Sequence, residues 1–162
     1  LVVSALVPYK RIDLAIEAAN LTGRRLLVVG NGPEETRLRA IAGKSVEFLG
    51  PAGRDRLLGL YRGCRALVLP GVEDFGIVVA EALACGRPAL VNAQGGGAEI
   101  VNHGEFGETF TEPTGEAVAR AMEKLVPNRF SRLGLRQRAE AFARTRFEER
   151  FRAVVAETTP KA

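Results

Sequence analysis

A chain of 162 residues suits one domain, and a hydrophobic content of 46% is enough to build a core. Charged residues make up 26%, no apolar run approaches the ~20 residues that span a bilayer, and no basic-then-apolar opening marks a secretory leader. The net charge of +4, with 19 arginines against 4 lysines, admits an anionic partner such as nucleotide phosphates or anionic lipid. Aromatic residues are only 6% with no tryptophan, which argues against a stacking platform for single-stranded nucleic acid, so no nucleic-acid partner is expected.

In chain order, "LVVSAL" (1–6) reads as a first strand. A chain that opens on Leu1 inside a strand is expected to be a piece of a longer polypeptide. "KRIDLAIEAANL" (10–21) is helical, with Ile12, Ala15, Ile16 and Ala19 on one face. "RLLVVG" (25–30) is a second strand, turned by "GNGP" into the helix "EETRLRAIAG", where Pro33, Glu34 and Glu35 suit a first turn. "SVEFLG" (45–50) is a strand, "RDRLLGLYRGC" (54–64) a helix, "ALVLP" (66–70) a strand, and "GIVVAEALACG" (76–86) a helix. "PALVNA" (88–93) is a strand and "GGAEIVNHG" a short helix; "ETFT" (108–111) is a short sixth strand. From Pro113 on, the pattern is helical, and 128–162 reads as a helical extension.

Strand–helix alternation with short connections implies right-handed crossovers and a parallel sheet. The strands are nearly continuous Val, Leu and Ala, as in sheets covered on both faces. The expected fold is therefore α/β, a doubly wound parallel sheet of about six strands. Ligands of such sheets bind beyond the carboxyl ends of the strands. Those ends are the loops 6–10, 30–33, 50–53, 70–76 and 93–97.

The stretch "VEDFGIVVAEALACG" (72–86) stands out. Glu81 is the only charge between Phe75 and Gly86, and an apolar helix of this kind is expected to be buried. A buried carboxylate needs a partner: either an arginine from elsewhere in the chain, or the paired hydroxyls of a ligand such as a ribose. Glu73, at the mouth of the crevice, would hold a second polar group. Between them the amides of Phe75, Gly76 and Ile77 are expected to be free and to favour an anion. Hydroxyls at both ends and phosphate in the middle describe a nucleotide sugar.

Other motifs have plainer readings. "GNGPEE" lacks the third glycine of a dinucleotide fingerprint, because Glu35 stands there, so Gly30 and Gly32 read as a tight turn rather than part of an NAD-binding oxidoreductase. "QGGGAE" (94–99) either borders a phosphate or serves as turn and helix cap, with Glu99 in the site or on the cap. His103 reads as a surface turn residue. Cys64 and Cys85 read as reduced core thiols, which fits a cytoplasmic setting. With one histidine no metal site is expected. The tail from Arg129 to Arg152 carries eight arginines and three glutamates, a solvated face or a surface for peripheral contact with an anionic membrane at its inner face.

In order and spacing, "VPYKRIDLAIEAAN", "LLVVGNGPE", "VEFLG" and "ALVLPGVEDFGIVVAEALACGRPALV" resemble the donor-binding, carboxyl-terminal half of retaining GT-B glycosyltransferases of family 4, whose signature includes E-x7-E. The resemblance covers roughly residues 1 to 125. It implies transfer of a mannose- or glucose-type hexose from a nucleoside diphosphate sugar (GDP-mannose or a UDP-sugar) to a glycan or lipid acceptor, as in polysaccharide biosynthesis, with no cofactor and no metal. It also implies that the amino-terminal, acceptor-binding domain is a missing partner, that this half alone is inactive, and that the last helix crosses back onto that domain. Carried over by position, Glu73 would bind the hexose and Lys10 the diphosphate. Glu81 would bind the ribose, the Phe75-Gly76-Ile77 backbone would meet hexose and distal phosphate, and Gly50 and Pro51 would lie against the base. The family's arginine beside the diphosphate is replaced here by Ala5, with Arg11 as the nearest substitute. That departure keeps open an alternative: a non-catalytic nucleotide-binding or interaction module with a degenerate donor site.

Overall fold

The computed structural model describes residues 1–158. Six parallel strands run β1 (Val2–Val3), β2 (Leu26–Val29), β3 (Val46–Gly50), β4 (Leu67–Leu69), β5 (Ala89–Asn92) and β6 (Gly107–Phe110). They form two three-stranded sheets, β1-β2-β3 and β4-β5-β6. The two meet edge to edge, because the Val68 amide donates to the Leu1 carbonyl at 2.8 Å. The spatial order is therefore β3-β2-β1-β4-β5-β6, and the direction of winding reverses between β1 and β4. The doubly wound expectation holds, with the refinement that the ladder is interrupted at that reversal.

The helices are α1 (Ile12–Thr22), α2 (Glu35–Ile41), α3 (Arg54–Gly63), α4 (Ile77–Ala84), α5 (Gly96–Val101), α6 (Gly115–Lys124), α7 (Arg132–Glu140) and α8 (Arg144–Thr158). One group gathers α1, α2 and α6; a second gathers α3, α4, α5 and α7 around α4. Val28, Leu67, Leu90 and Val91 from the strands meet Leu6, Ile12, Ile16, Val79 and Leu83 in the core. Each such side chain contributes about 1.5–3 kcal/mol on burial.

A departure from the sequence reading near Lys10 matters for function. The first strand ends at Val3, not Leu6, and a 3-10 turn over Pro8–Lys10 follows. Helix α1 then starts at Ile12 rather than Lys10, because Arg11 takes the left-handed conformation (φ 50°, ψ 41°). Lys10 thus closes a tight turn and does not oppose the dipole of α1. Helix α8 lies on the surface, in keeping with the expected solvated helical tail. It has no buried residue, and Phe147, Phe151 and Val154 form an exposed stripe at helical spacing. No helix among the described residues is long and apolar enough to cross a membrane.

Candidate active site

The winding reverses between β1 and β4, and doubly wound folds bind ligands in the crevice at the carboxyl edge of such a reversal. Its walls are the loop leading into Lys10 and the loop from Pro70 to Gly76. The two run close together: a Cβ on Gly71 would lie 2.7 Å from the Tyr9 carbonyl oxygen. Across the crevice the Lys10 ammonium meets Glu73 Oε1 at 2.6 Å, with both side chains largely buried. The Tyr9 ring lies 5.0 Å from the same ammonium.

Glycine backbone holds the second loop in place. The Gly96 amide donates to the Glu73 carbonyl, and a Cβ on Gly95 or Gly96 would fall 2.4 Å from Glu73 O or 2.3 Å from Asp74 O. "QGGGAE" therefore acts as a bed for the Glu73 loop. Gly76, at φ 81°, turns the chain into α4 and lies so close to Gly97 that a Cβ would approach its Cα at 3.2 Å. A left-handed turn with no room for a side chain needs glycine. Among the described residues no side chain caps α4. Among the described residues the amides of Phe75, Gly76 and Ile77 find no acceptor. They form an open anion-favouring end of a helix.

Glu81 departs from expectation. It is exposed, and among the described residues no guanidinium holds it. The helix buries Val79, Ala82 and Leu83, while Ile77, Glu81 and Ala84 face outward. Its partner is Tyr61 of α3, whose hydroxyl donates to Glu81 Oε2 at 2.6 Å. Tyr61 is only 3% exposed. Burial, then the hydrogen bond to the carboxylate, pushes its phenol well above the ordinary tyrosine range. The Cys85 thiol is likewise raised, chiefly by burial and further by Glu81, against the lowering influence of Arg62. The sequence reading missed Tyr61. The signal available was a tyrosine sharing a helix with Leu57 and Leu60, which pack on the core, since a buried phenol needs an acceptor. Twenty residues of separation conceal which acceptor it is.

The remaining candidates are placed as follows. Gly50, in the left-handed conformation at φ 67°, ends β3, and its carbonyl accepts from the Gly30 amide; Pro51 beside it is exposed. From β3 to β4 is three inter-strand steps, about 14 Å, so Gly50 and Pro51 lie at one end of the carboxyl edge and Glu73 near its middle. Phe75 is 49% exposed and packs edge-on against Phe142, with ring centres 5.9 Å apart. Arg11 does not stand in for an arginine at Ala5: its guanidinium binds Asp13 at 3.2 Å from Nε and from Nη2. Gly30 and Gly32 are a tight turn, as expected, pressed against the carbonyls of Ser4 and Leu6. His103 is exposed and shares a hydrogen bond with Thr109. Cys64 and Cys85 are free and half-buried. Two cavities lie away from the crevice. One of about 450 Å³ is lined by Leu1, Leu26, Val68 and Leu125, the other, of about 460 Å³, by His103, Glu108, Arg120 and Arg129. Neither gathers the carboxylates, ammonium and open amides found here.

A family model described as "Glycosyl transferases group 1" matches residues 1–146. The chain belongs to this family. Among curated glycosyltransferases, it is 35% identical over 123 residues to the GDP-mannose-dependent alpha-(1-6)-phosphatidylinositol dimannoside mannosyltransferase of Mycobacterium tuberculosis, covering 73% of this chain and 32% of that protein. It is 39% identical over 107 residues to the D-inositol 3-phosphate glycosyltransferase of Mycobacteroides abscessus, covering 58% and 24%. The chain thus spans a third or less of these group 1 relatives. Among solved glycosyltransferase-like structures, sucrose-phosphate synthase from Thermosynechococcus elongatus superposes with a TM-score of 0.78 at 25% identity, covering 97% of this chain and 46% of that one. HepE from Anabaena, solved with UDP and glucose, superposes at 0.74 with 23% identity, covering 96% and 48%. These structures share the fold described above, that of the Rossmann-like carboxyl-terminal domains of GT-B glycosyltransferases.

Proposed function

We propose that this chain is the donor-binding half of a retaining glycosyltransferase, one that transfers a hexose from a nucleoside diphosphate sugar to a glycan or lipid acceptor. The single observation that carries the reading is the open amino end of α4. In the chain its free amides fall between Glu73, which pairs with Lys10, and Glu81, which Tyr61 holds. An anion fits those amides, and hydroxyl-bearing groups fit the carboxylates on either side. Names of relatives add support: one is GDP-mannose-dependent, and one structural neighbour was solved with UDP and glucose.

The chemistry follows from electrostatics. As the bond from the anomeric carbon to the diphosphate breaks, negative charge grows on the leaving oxygen, and Lys10 with the α4 amides stabilises it. Glu73 orients the hexose hydroxyls, which limits the loss of orientation in the reacting complex. The acceptor hydroxyl attacks the face from which the diphosphate departs and passes its proton to the departing diphosphate oxygen, so configuration is retained. Diphosphate charge is met by side chain and helix, and no metal is assigned. The second wall of the cleft belongs to the acceptor-binding half. The exposed stripe of Phe147, Phe151 and Val154 on α8 is the surface this reading docks on that half. Alone, the chain binds donor and does not turn it over. The same reading places the whole enzyme in the cytoplasm, with its basic tail beside the membrane.

A second reading has specific support. Ala5 stands in place of the family arginine, Arg11 is held by Asp13, and the Lys10 ammonium is paired with Glu73 in the free protein. On this reading the donor site is degenerate and the chain is a non-catalytic module. Calorimetry with UDP and GDP on the chain and on Ala5→Arg separates the two. The donor-site reading predicts binding by the chain and a gain of about tenfold or more with the arginine, the size of one charge-assisted contact. Absence of binding by both chains favours the module.

A further inference from the structure

We propose that Tyr61 is a positioning residue for Glu81: its phenol fixes one carboxylate oxygen so that the other is presented to a ribose hydroxyl of the donor. The inference rests on the donor-binding reading and adds to it a residue on a different helix. A glutamate exposed on a helix has three side-chain torsions, the last of them broad, and samples several rotamers. Glu81 does not have that freedom. Its Oε2 accepts a hydrogen bond of 2.6 Å from Tyr61, in the range of a hydroxyl bonded to an ionised carboxylate. The donor side is rigid, because Tyr61 is 3% exposed and packed within the core. Burial and the carboxylate together keep the proton on the phenol, so the direction of this bond is fixed.

Glu81 Oε1 has no donor among the described residues. The bonds from Cα to Cβ in a helix tilt toward its amino end. The Glu81 side chain therefore leans toward the open start of α4, where the phosphates of the donor belong. One oxygen anchored from below and one left free is an acceptor held ready for a single hydroxyl. The order lost on binding is already lost in the free protein, which favours affinity without any added contact. A merely structural phenol would satisfy its own buried hydroxyl and do nothing to ribose recognition.

The test is the ratio of affinities for UDP and 2′-deoxy-UDP, and for GDP and 2′-deoxy-GDP, measured on the chain, Tyr61→Phe, Glu81→Ala and the double variant. Removing only the hydroxyl leaves the ring to pack, and a melting curve checks that Tyr61→Phe is folded. The expected result is that Tyr61→Phe lowers the ribose-to-deoxyribose ratio by about three- to tenfold, the worth of one hydrogen bond, with affinity for the deoxy nucleotides unchanged. In the double variant the loss no longer adds to that of Glu81→Ala. A Tyr61→Phe chain that melts lower yet keeps the wild-type ratio overturns the inference and leaves the donor reading standing. A wild-type chain that binds ribo and deoxy forms alike, with no change in Glu81→Ala, overturns the role of Glu81 and the inference with it.

Discussion

Glu81 stands on the outward face of α4 and accepts a hydrogen bond from the buried Tyr61 phenol. The run from Phe75 to Gly86 is apolar enough to be buried, yet Ile77 is 62% exposed and shares the outward face with Glu81 and Ala84. Exposed apolar side chains are common on folded surfaces, so composition alone does not choose the face. The position of Glu81 within its helix was legible; its partner was not, because an acceptor-seeking phenol twenty residues away leaves no local mark. The energetic expectation changes accordingly. Were the carboxylate buried and unpaired, Glu81→Ala would be neutral or stabilising. Since it satisfies a buried hydroxyl, the substitution is expected to destabilise the fold by about 1–3 kcal/mol. Urea denaturation checks this, and Tyr61→Phe in the same chain should recover part of the loss.

At the scale of elements, most helices and strands could be read from periodicity and from Gly and Pro punctuation. The errors cluster where tertiary contacts override local preference. The first strand stops early because the chain beyond Ser4 turns to serve the β2 loop, with the Leu6 amide on the Asn31 carbonyl. Arg11 breaks the helix that its neighbours predict, by adopting a left-handed conformation. The glycines of "QGGGAE" were visible, but their purpose was not: they let the Glu73 loop lie against α5. Gly96→Ala is therefore expected to push the Asp74 carbonyl away, since its Cβ would fall 2.3 Å from that oxygen. Nucleotide affinity should fall while the far-ultraviolet dichroism of the chain stays near wild type. Loss of all secondary structure would mean that the glycine supports the whole fold instead.

At the scale of the molecule, strand order and the reversal between β1 and β4 follow from alternation of elements and from the rule for crossovers. The Lys10–Glu73 bridge across that reversal brings together loops some sixty residues apart, and only the folded chain reveals it. The molecule also has a pH signature. Tyr61 is raised in the folded state, so the native chain keeps a proton that the unfolded chain releases above about pH 10. Stability from this group is fully present below that pH and is lost as pH rises toward the higher folded value. Cys64 and Cys85, both raised chiefly by burial, act with the same sign from about pH 8.5 upward. Denaturation midpoints should therefore fall between pH 8 and pH 10.5, and should fall less steeply in Tyr61→Phe.

The central claim is that the crevice between β1 and β4 is a donor site built from Lys10, Glu73, Glu81 and the open end of α4. Crystals of the chain soaked with UDP- and GDP-sugars test it most directly. The account predicts the diphosphate on the amides of Gly76 and Ile77 beside Lys10, ribose hydroxyls on Glu81 Oε1, and the base toward Gly50. Nucleotide bound in either of the other cavities, with this crevice empty at saturating ligand, would contradict it.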